Sequence, residues 1–243
     1  MGSDSALIVF TLSPEAEARR KGLGMARPEQ AARVFRVLRD HILSTCSELD
    51  GVDLLIATSD GARPRPGYLP QRGASFGESL KLAVEDAFSL GYRRVVVIGN
   101  DSPEISRAYL QDAFRCLAGS GRRAVIGPAH DGGYALLGLT AGCPSIFEAM
   151  PWGSSAVGRL TKERLTAHGF LVQKIGTVAD IDNPWGLARF LVRARKNGFV
   201  ALARCIAVTL SPVVHGTCRT PRRRRLVTLT GLLTLRAPPF PLA

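Results

Sequence analysis

The chain lacks several features that would fix its class at once. No stretch of 18 uncharged apolar residues runs without a Pro or Gly interruption, so no transmembrane helix is predicted. The opening MGSDSALIVFTL carries an acid where a secretory leader carries basic residues, so it does not read as a signal peptide. Five cysteines (46, 116, 143, 205 and 218) are odd in number and show no CxxC spacing, which argues against both a disulfide framework and a zinc site. Reduced thiols of a cytoplasmic protein are the expectation. There is no Walker-type lysine loop, no nucleophile elbow and no internal repeat. Acids are also missing from the C-terminal end. Residues 1–182 carry 21 Lys and Arg against all 20 acids, whereas residues 183–243 carry 11 Lys and Arg and no acid. The net charge of +12 therefore belongs to the tail, and a nearly neutral body argues against a nucleic-acid groove. The tail, with Arg222–Arg225 and a proline-rich end, suits contact with anionic surfaces and is expected to be poorly ordered at its end.

What is present is an alternation of apolar runs and amphipathic stretches. Ala6–Leu12, Val52–Thr58, Arg93–Ile98, Ala124–Ile126, Tyr134–Leu139 and Phe170–Ile175 read as strands. Pro28–Cys46 places Ala31, Val34, Phe35, Leu38, Ile42 and Leu43 at helical spacing. Phe76–Leu90, a segment N-capped by Ser106, Ser154–His168 and a stretch after Pro184 read as further helices. Ser13-Pro14 reads as a turn into a basic loop, and Gly61–Gly73 as a surface loop with at most one short strand. The pattern predicts an α/β fold with a mostly parallel central sheet, as one domain over residues 1–196 followed by a basic, proline-containing tail over 197–243.

Two of the strands end in the same way. VVVIGNDSP and AVIGPAHDGGYALLGL each run to glycine and then to a carboxylate, so Asp101 and Asp131 are expected at the sheet edge where α/β proteins bind ligands. Acids on glycine-rich turns suit a divalent metal bridging phosphate oxygens. Asp101 equally suits a turn before Pro103, and His130-Asp131-Gly132-Gly133-Tyr134 equally suits a tight hairpin with a core tyrosine. Asp180 and Asp182 flank Ile181, so in an extended segment both acids share one side while Ile181 packs inward. Asp182-Asn183-Pro184 is also a helix-start signal. Trp152 offers a stacking surface, and Ser154 a helix cap whose hydroxyl also reaches a ligand.

GNDSPEIS, IGPAHDGGYALLGL, PWGSSAV and ADIDNPWGL, in this order, resemble a bacterial family with the A-type glycosyltransferase fold. Its members are assigned as transferases of nucleotide sugars, some to arsenosugar biosynthesis. The resemblance spans roughly residues 6–196. It implies a single Rossmann-like nucleotide-diphospho-sugar transferase domain, with Mg²⁺ or Mn²⁺ on Asp101 and a nucleotide sugar and a small-molecule acceptor as partners. It further implies Asp131 and Asp182 as catalytic residues, and Gly132, Gly133, Tyr134, Trp152 and Ser154 as substrate contacts. The chain departs from the family after its first strand. SPEAEARRKGLG replaces a proline-glycine turn and a lysine-threonine-arginine motif, leaving Arg19, Arg20 and Lys21 as the phosphate-binding charge. Molybdenum-cofactor guanylyltransferase-like nucleotidyl transfer is the alternative chemistry on this fold. A catalytically silent nucleotide-binding protein is the non-enzymatic alternative.

Overall fold

In a computed structural model, seven strands form one sheet. It describes residues 3–25, 27–59, 66–194 and 198–210. The strands are β1 (Ser5–Thr11), β2 (Asp53–Thr58), β3 (Tyr68–Pro70), β4 (Arg94–Ile98), β5 (Arg123–Pro128), β6 (Tyr134–Leu139) and β7 (Leu171–Lys174), in the order β3-β2-β1-β4-β6-β5-β7. All pair in parallel except β6, which runs antiparallel to both β4 and β5. The mostly parallel α/β sheet expected from the alternation of elements is thus present. The inner strands β1, β4, β5 and β6 are buried on both faces, as their unbroken apolar runs require, whereas the edge strand β7 is largely exposed. Along β1, Ala6 and Ile8 face one layer and Leu7 and Val9 the other.

Helix α3 (Phe76–Ser89) and helix α5 (Val157–Ala167) supply Leu80, Ala83, Val84, Ala87 and Leu165 to the first layer. The far end of α2 (Pro28–Ser47) and all of α4 (Arg107–Leu117) supply Ile42, Cys46, Leu110, Ala113 and Leu117 to the second. A third cluster joins α1 (Pro14–Lys21), α2, α6 (Pro184–Arg193) and α7 (Val200–Leu210) around Phe35, Leu38, Phe190 and Ile206. Helix α7 carries this packed body past residue 196. The rest of the tail, with its arginine run and Cys218, lies outside the described residues. None of the described helices is long and apolar enough to cross a membrane.

Two local expectations are corrected. The segment after Ser13 is a helix rather than a loop: the Ser13 hydroxyl accepts the Ala16 N–H at 3.1 Å, Pro14 occupies the first turn, and Gly22 ends the helix in the left-handed region. Glu15 and Glu17 in its first turn and Arg19, Arg20 and Lys21 in its last complement the helix dipole. At the other site, α5 starts at Val157 and its cap position is Ala156, so Ser154 caps nothing. Its carbonyl instead accepts the Val157 N–H in a turn.

The middle of the sheet leaves no spare volume around the antiparallel strand. A Cβ on Gly138 of β6 would lie 2.6 Å from Val125 Cγ1 and 3.1 Å from both Leu117 Cδ1 and Val96 Cγ2. Gly138→Val should therefore destabilise the protein by about 1–3 kcal/mol, the usual cost of overpacking a filled core. Urea unfolding followed by circular dichroism checks this, the expected sign being a lower midpoint with an unchanged slope.

Candidate functional site

Strand order reverses between β1 and β4, since β1 leads outward to β2 and β3 while β4 begins the other half of the sheet. That is where α/β sheets open a crevice at their carboxyl edge. A cavity of about 410 Å³ lies there, lined among others by Phe10, Leu12, Arg20, Gln71, Asn100 and Asp101. Asp101 follows β4 by three residues, and its carboxylate folds back so closely that a Cβ on Gly99 would lie 2.8 Å from Asp101 Oδ1. This is the edge position predicted from GNDSP.

The partner of Asp101 is a cation of the chain itself. Lys21 Nζ, at the end of α1, donates to Asp101 Oδ2, approaches Asp182 Oδ1 at 2.6 Å and lies 3.8 Å from Glu17 Oε2 one turn back. The Lys21 and Glu17 side chains are only 7% and 4% exposed, so this is an interior ion cluster rather than a solvated basic patch. Burial works against the Lys21 charge, but Asp101, Asp182 and Glu17 outweigh it and hold the ammonium protonated well above the ordinary lysine range. Burial likewise pushes the Asp101 carboxyl up, and the charge and hydrogen bond of Lys21 override it, leaving its pKa below the ordinary value. Arg19 and Arg20 are both exposed, but only Arg20, which bonds Glu17 at 3.4 Å, lines the cavity.

The segment after β7 supplies the remaining acids. Ala129 bridges Val178, and the Ile181 N–H donates to the Asp101 carbonyl at 2.8 Å. Ile181 is buried, and the acids on either side of it turn to the cleft, as the alternation predicts. Asn183, not Asp182, caps α6 by accepting the Gly186 N–H at 2.9 Å, which leaves Asp182 for Lys21. Carboxylate oxygens of Asp131, Asp180 and Asp182 come within 4.8 Å of one another. Three hard oxygen donors at this spacing fit a divalent cation such as Mg²⁺ or Mn²⁺. Asp180 is the site residue that sequence reasoning misses: the DID pattern marks both acids alike, and only the long-range hydrogen bond from Ser102 Oγ to Asp180 Oδ1 distinguishes it. Its environment is the least favourable to charge. Burial first, then the carboxylates of Asp101, Asp182 and Asp131, push its pKa up to about 7, against the opposing Ser102 bond.

Asp131 stands on the turn between β5 and β6, its Oδ1 accepting the Gly133 N–H at 2.8 Å. Gly132 has φ +91°, and a Cβ there would lie 2.4 Å from the Ser155 carbonyl oxygen. The Gly158 N–H in turn donates to the Gly132 carbonyl at 3.0 Å, locking the turn to the start of α5. The hairpin reading of this motif therefore holds, and the same turn brings the Asp131 carboxylate near those of Asp180 and Asp182. Tyr134 reaches the cavity wall, and burial holds its phenol well above the ordinary range. Trp152 meets Phe76 edge-on at 4.9 Å and Tyr134 at 6.4 Å, and a Cβ on Gly77 would lie 2.3 Å from its Nε1. It buttresses the cavity's aromatic wall and does not line the cavity. Ser154 is exposed and is not part of the lining either.

A carboxyl whose folded pKa lies above its unfolded value binds its proton more tightly in the folded state. The stability this gives is complete below about pH 4 and is lost as pH rises through about 7. Asp180→Asn should accordingly flatten the fall in stability between these values and melt higher than the wild type at pH 8. Thermal melts from pH 4 to 8 without divalent cation check the sign.

Residues 45–154 match the model of a family described as "Uncharacterized protein conserved in bacteria (DUF2064)". No curated protein matches the sequence. The crystal structure of a "putative nucleotide-diphospho-sugar transferase" from Desulfovibrio desulfuricans G20 is 27% identical, covering 85% of this chain and 98% of its own with a TM-score of 0.71. A homolog of Mycobacterium tuberculosis rv0371c from Mycobacterium sp. strain JC1 is 15% identical over 86% of this chain and 100% of its own, with a TM-score of 0.49. The 2-C-methyl-D-erythritol 4-phosphate cytidylyltransferase of Thermus thermophilus is 17% identical over 86% and 99%, with a TM-score of 0.45. These last two likenesses are too distant to carry an argument. The likeness to the Desulfovibrio structure and the reversal of strand order at an acid-lined edge give the chain the fold of a nucleotide-diphospho-sugar transferase.

Proposed function

We propose that the chain is a cytoplasmic glycosyltransferase that moves a sugar from a nucleoside diphosphate to a small-molecule acceptor, with Mg²⁺ or Mn²⁺ at Asp131, Asp180 and Asp182. The observation that carries this reading is the convergence of those three carboxylates beside the cavity at the β1/β4 reversal. A divalent cation there would neutralise the charge that grows on the departing diphosphate.

The chain's own residues divide the remaining work. Arg20, half in solvent and facing the cavity, is the cation available to the diphosphate. Lys21 keeps Asp101 ionised and draws Asp182 toward the end of α1, so the phosphate role expected of Lys21 passes mainly to Arg20. Phe10 and Phe76, 5.6 Å apart and edge to face, give the cavity an apolar wall for the nucleoside. Asp131, fixed by the Gly133 N–H, is placed to orient the acceptor hydroxyl and take its proton. Trp152 acts through Phe76 and Tyr134 rather than by stacking on the sugar.

Incubation with UDP-, GDP-, ADP- and TDP-sugars and Mg²⁺ or Mn²⁺ should release nucleoside diphosphate from one of them, and chelation should abolish the release. Asp180→Asn should weaken cation-dependent nucleotide binding at least tenfold, since one charge-assisted contact is worth about 1.5–3 kcal/mol. Pyrophosphate release from a nucleoside triphosphate would identify nucleotidyl transfer instead. Failure of every nucleotide to bind would leave the silent reading. Lys21→Met should destabilise the protein by about 3 kcal/mol, because Asp101, Asp182 and Glu17 would lose their buried counter-charge. Part of that loss should return on adding Mg²⁺, measured as a rise in Tm.

A further inference from the structure

The cavity at the β1/β4 reversal is lined by a side chain that no motif singles out. Gln71 directly follows β3, and its backbone N–H donates to the Thr58 carbonyl at 3.1 Å, which extends the pairing of β3 with β2 by one residue. Its side chain turns toward the neighbouring strands. Nε2 lies 3.0 Å from the Thr11 carbonyl oxygen of β1 and 2.9 Å from the Ala57 carbonyl oxygen of β2. The terminal atom set between two carbonyl oxygens must be the amide nitrogen, because an oxygen there would face two acceptors. The orientation of the amide is thereby fixed.

Both side-chain N–H groups of Gln71 are spent in this way, so Oε1 is the one polar side-chain atom it has left to offer. No hydrogen bond is found for Oε1 among the described residues, and Gln71 lines the cavity together with Phe10, Leu12 and Phe76. An acceptor held in place beside an apolar wall takes an N–H or O–H and rejects another acceptor. Across the end of β1, Asn100 lines the same cavity, is 2% exposed and has an Nδ2 without a partner among the described residues. The fold therefore leaves amide groups unsaturated on both flanks of β1. Asn100 adjoins Asp101 and the acids, whereas Gln71 belongs to the flank of β2 and β3, away from them. A flat heteroaromatic ring with a donor on its edge suits an aromatic wall that carries one fixed acceptor.

We infer that Gln71 selects the nucleobase: its Oε1 accepts an N–H from the base edge, so the base is recognised by a donor it carries. Two kinds of base supply that donor. Uracil, thymine and guanine have a ring N–H, and cytosine, adenine and guanine have an exocyclic amino group. The inference rests on the proposed function for the presence of a nucleotide in this cavity, and is independent of which bond the enzyme breaks.

Binding to the wild type tests it without a variant. UDP, TDP, GDP, CDP and ADP are titrated by calorimetry with Mg²⁺ present. The tightest binder is then compared with its analogue methylated at the donor: N3 of uracil or thymine, N1 or the amino group of guanine, the amino group of cytosine or adenine. Methylation should weaken binding about tenfold or more, since it leaves Oε1 facing a methyl group. A methyl group also adds bulk, so the same pair is titrated into Gln71→Ala, with circular dichroism and Tm to confirm that the variant is folded. There the parent nucleotide should bind about tenfold more weakly than to the wild type, and methylation should cost less than about twofold. The inference is overturned if methylation costs the wild type nothing, or if it costs Gln71→Ala as much as the wild type. The amide would then serve only to tie the strand ends. Binding of none of the five nucleotides overturns the proposed function and this inference together, whereas binding without a methylation penalty overturns this inference alone. The position at which methylation weakens binding tells a ring N–H from an amino group.

Discussion

One buried ammonium group organises the acid-lined edge of the sheet. Lys21 draws together the end of α1, the turn after β4 and the segment before α6, three stretches distant in sequence that share no other partner of opposite charge among the described residues. Without it Asp101, 21% exposed, would be left charged in a poorly solvated place. The altered first loop thus reads differently in three dimensions. SPEAEARRK is a capped helix whose last residue is turned inward, and its basic charge is divided between an interior tie, Lys21, and a cavity-facing arginine, Arg20.

Around that tie the carboxylates serve unequal ends. Asp101 is neutralised by Lys21, Asp182 is shared between Lys21 and the three-acid cluster, and Asp180 is the acid most opposed to ionising. A cation arriving at the cluster would relieve the repulsion that raises Asp180, while competing with Lys21 for Asp182. The resting charge balance is therefore supplied by the chain itself. The position of Asp131 depends on none of this, because the Gly133 amide and the packing of Gly132 on Ser155 hold it.

Much of this was legible in the sequence, for definite reasons. β4 and β6 are unbroken apolar runs ending at glycine, and the pair of acids around Ile181 follows from alternation alone, so these features survive any tertiary detail. Helix α1 was not legible: its eight residues bury only Pro14, Glu17 and Ala18, so it has no apolar stripe, and its inward-facing charged side chains look like surface ones until their partners are known. Ser154 carried a sound capping signal, but the contact of Gly158 with Gly132 fixes where α5 can begin. The depth of Asp180 depends on residues remote in sequence, which no local pattern encodes.

The antiparallel placement of β6 has a consequence for how such a site can change. Parallel strands hand the chain to crossover helices, whose connections tolerate insertions because each doubling of loop length costs only about 0.6 kcal/mol. The connection that carries Asp131 is instead a short turn clamped between paired strands and the start of α5. A one-residue slip of the β5–β6 register there would exchange the side chains that β6 presents to the two buried layers. Sequence drift can therefore remodel the side of this cleft built on the parallel strands residue by residue, while the wall bearing Asp131 can change only by replacing side chains on a fixed frame.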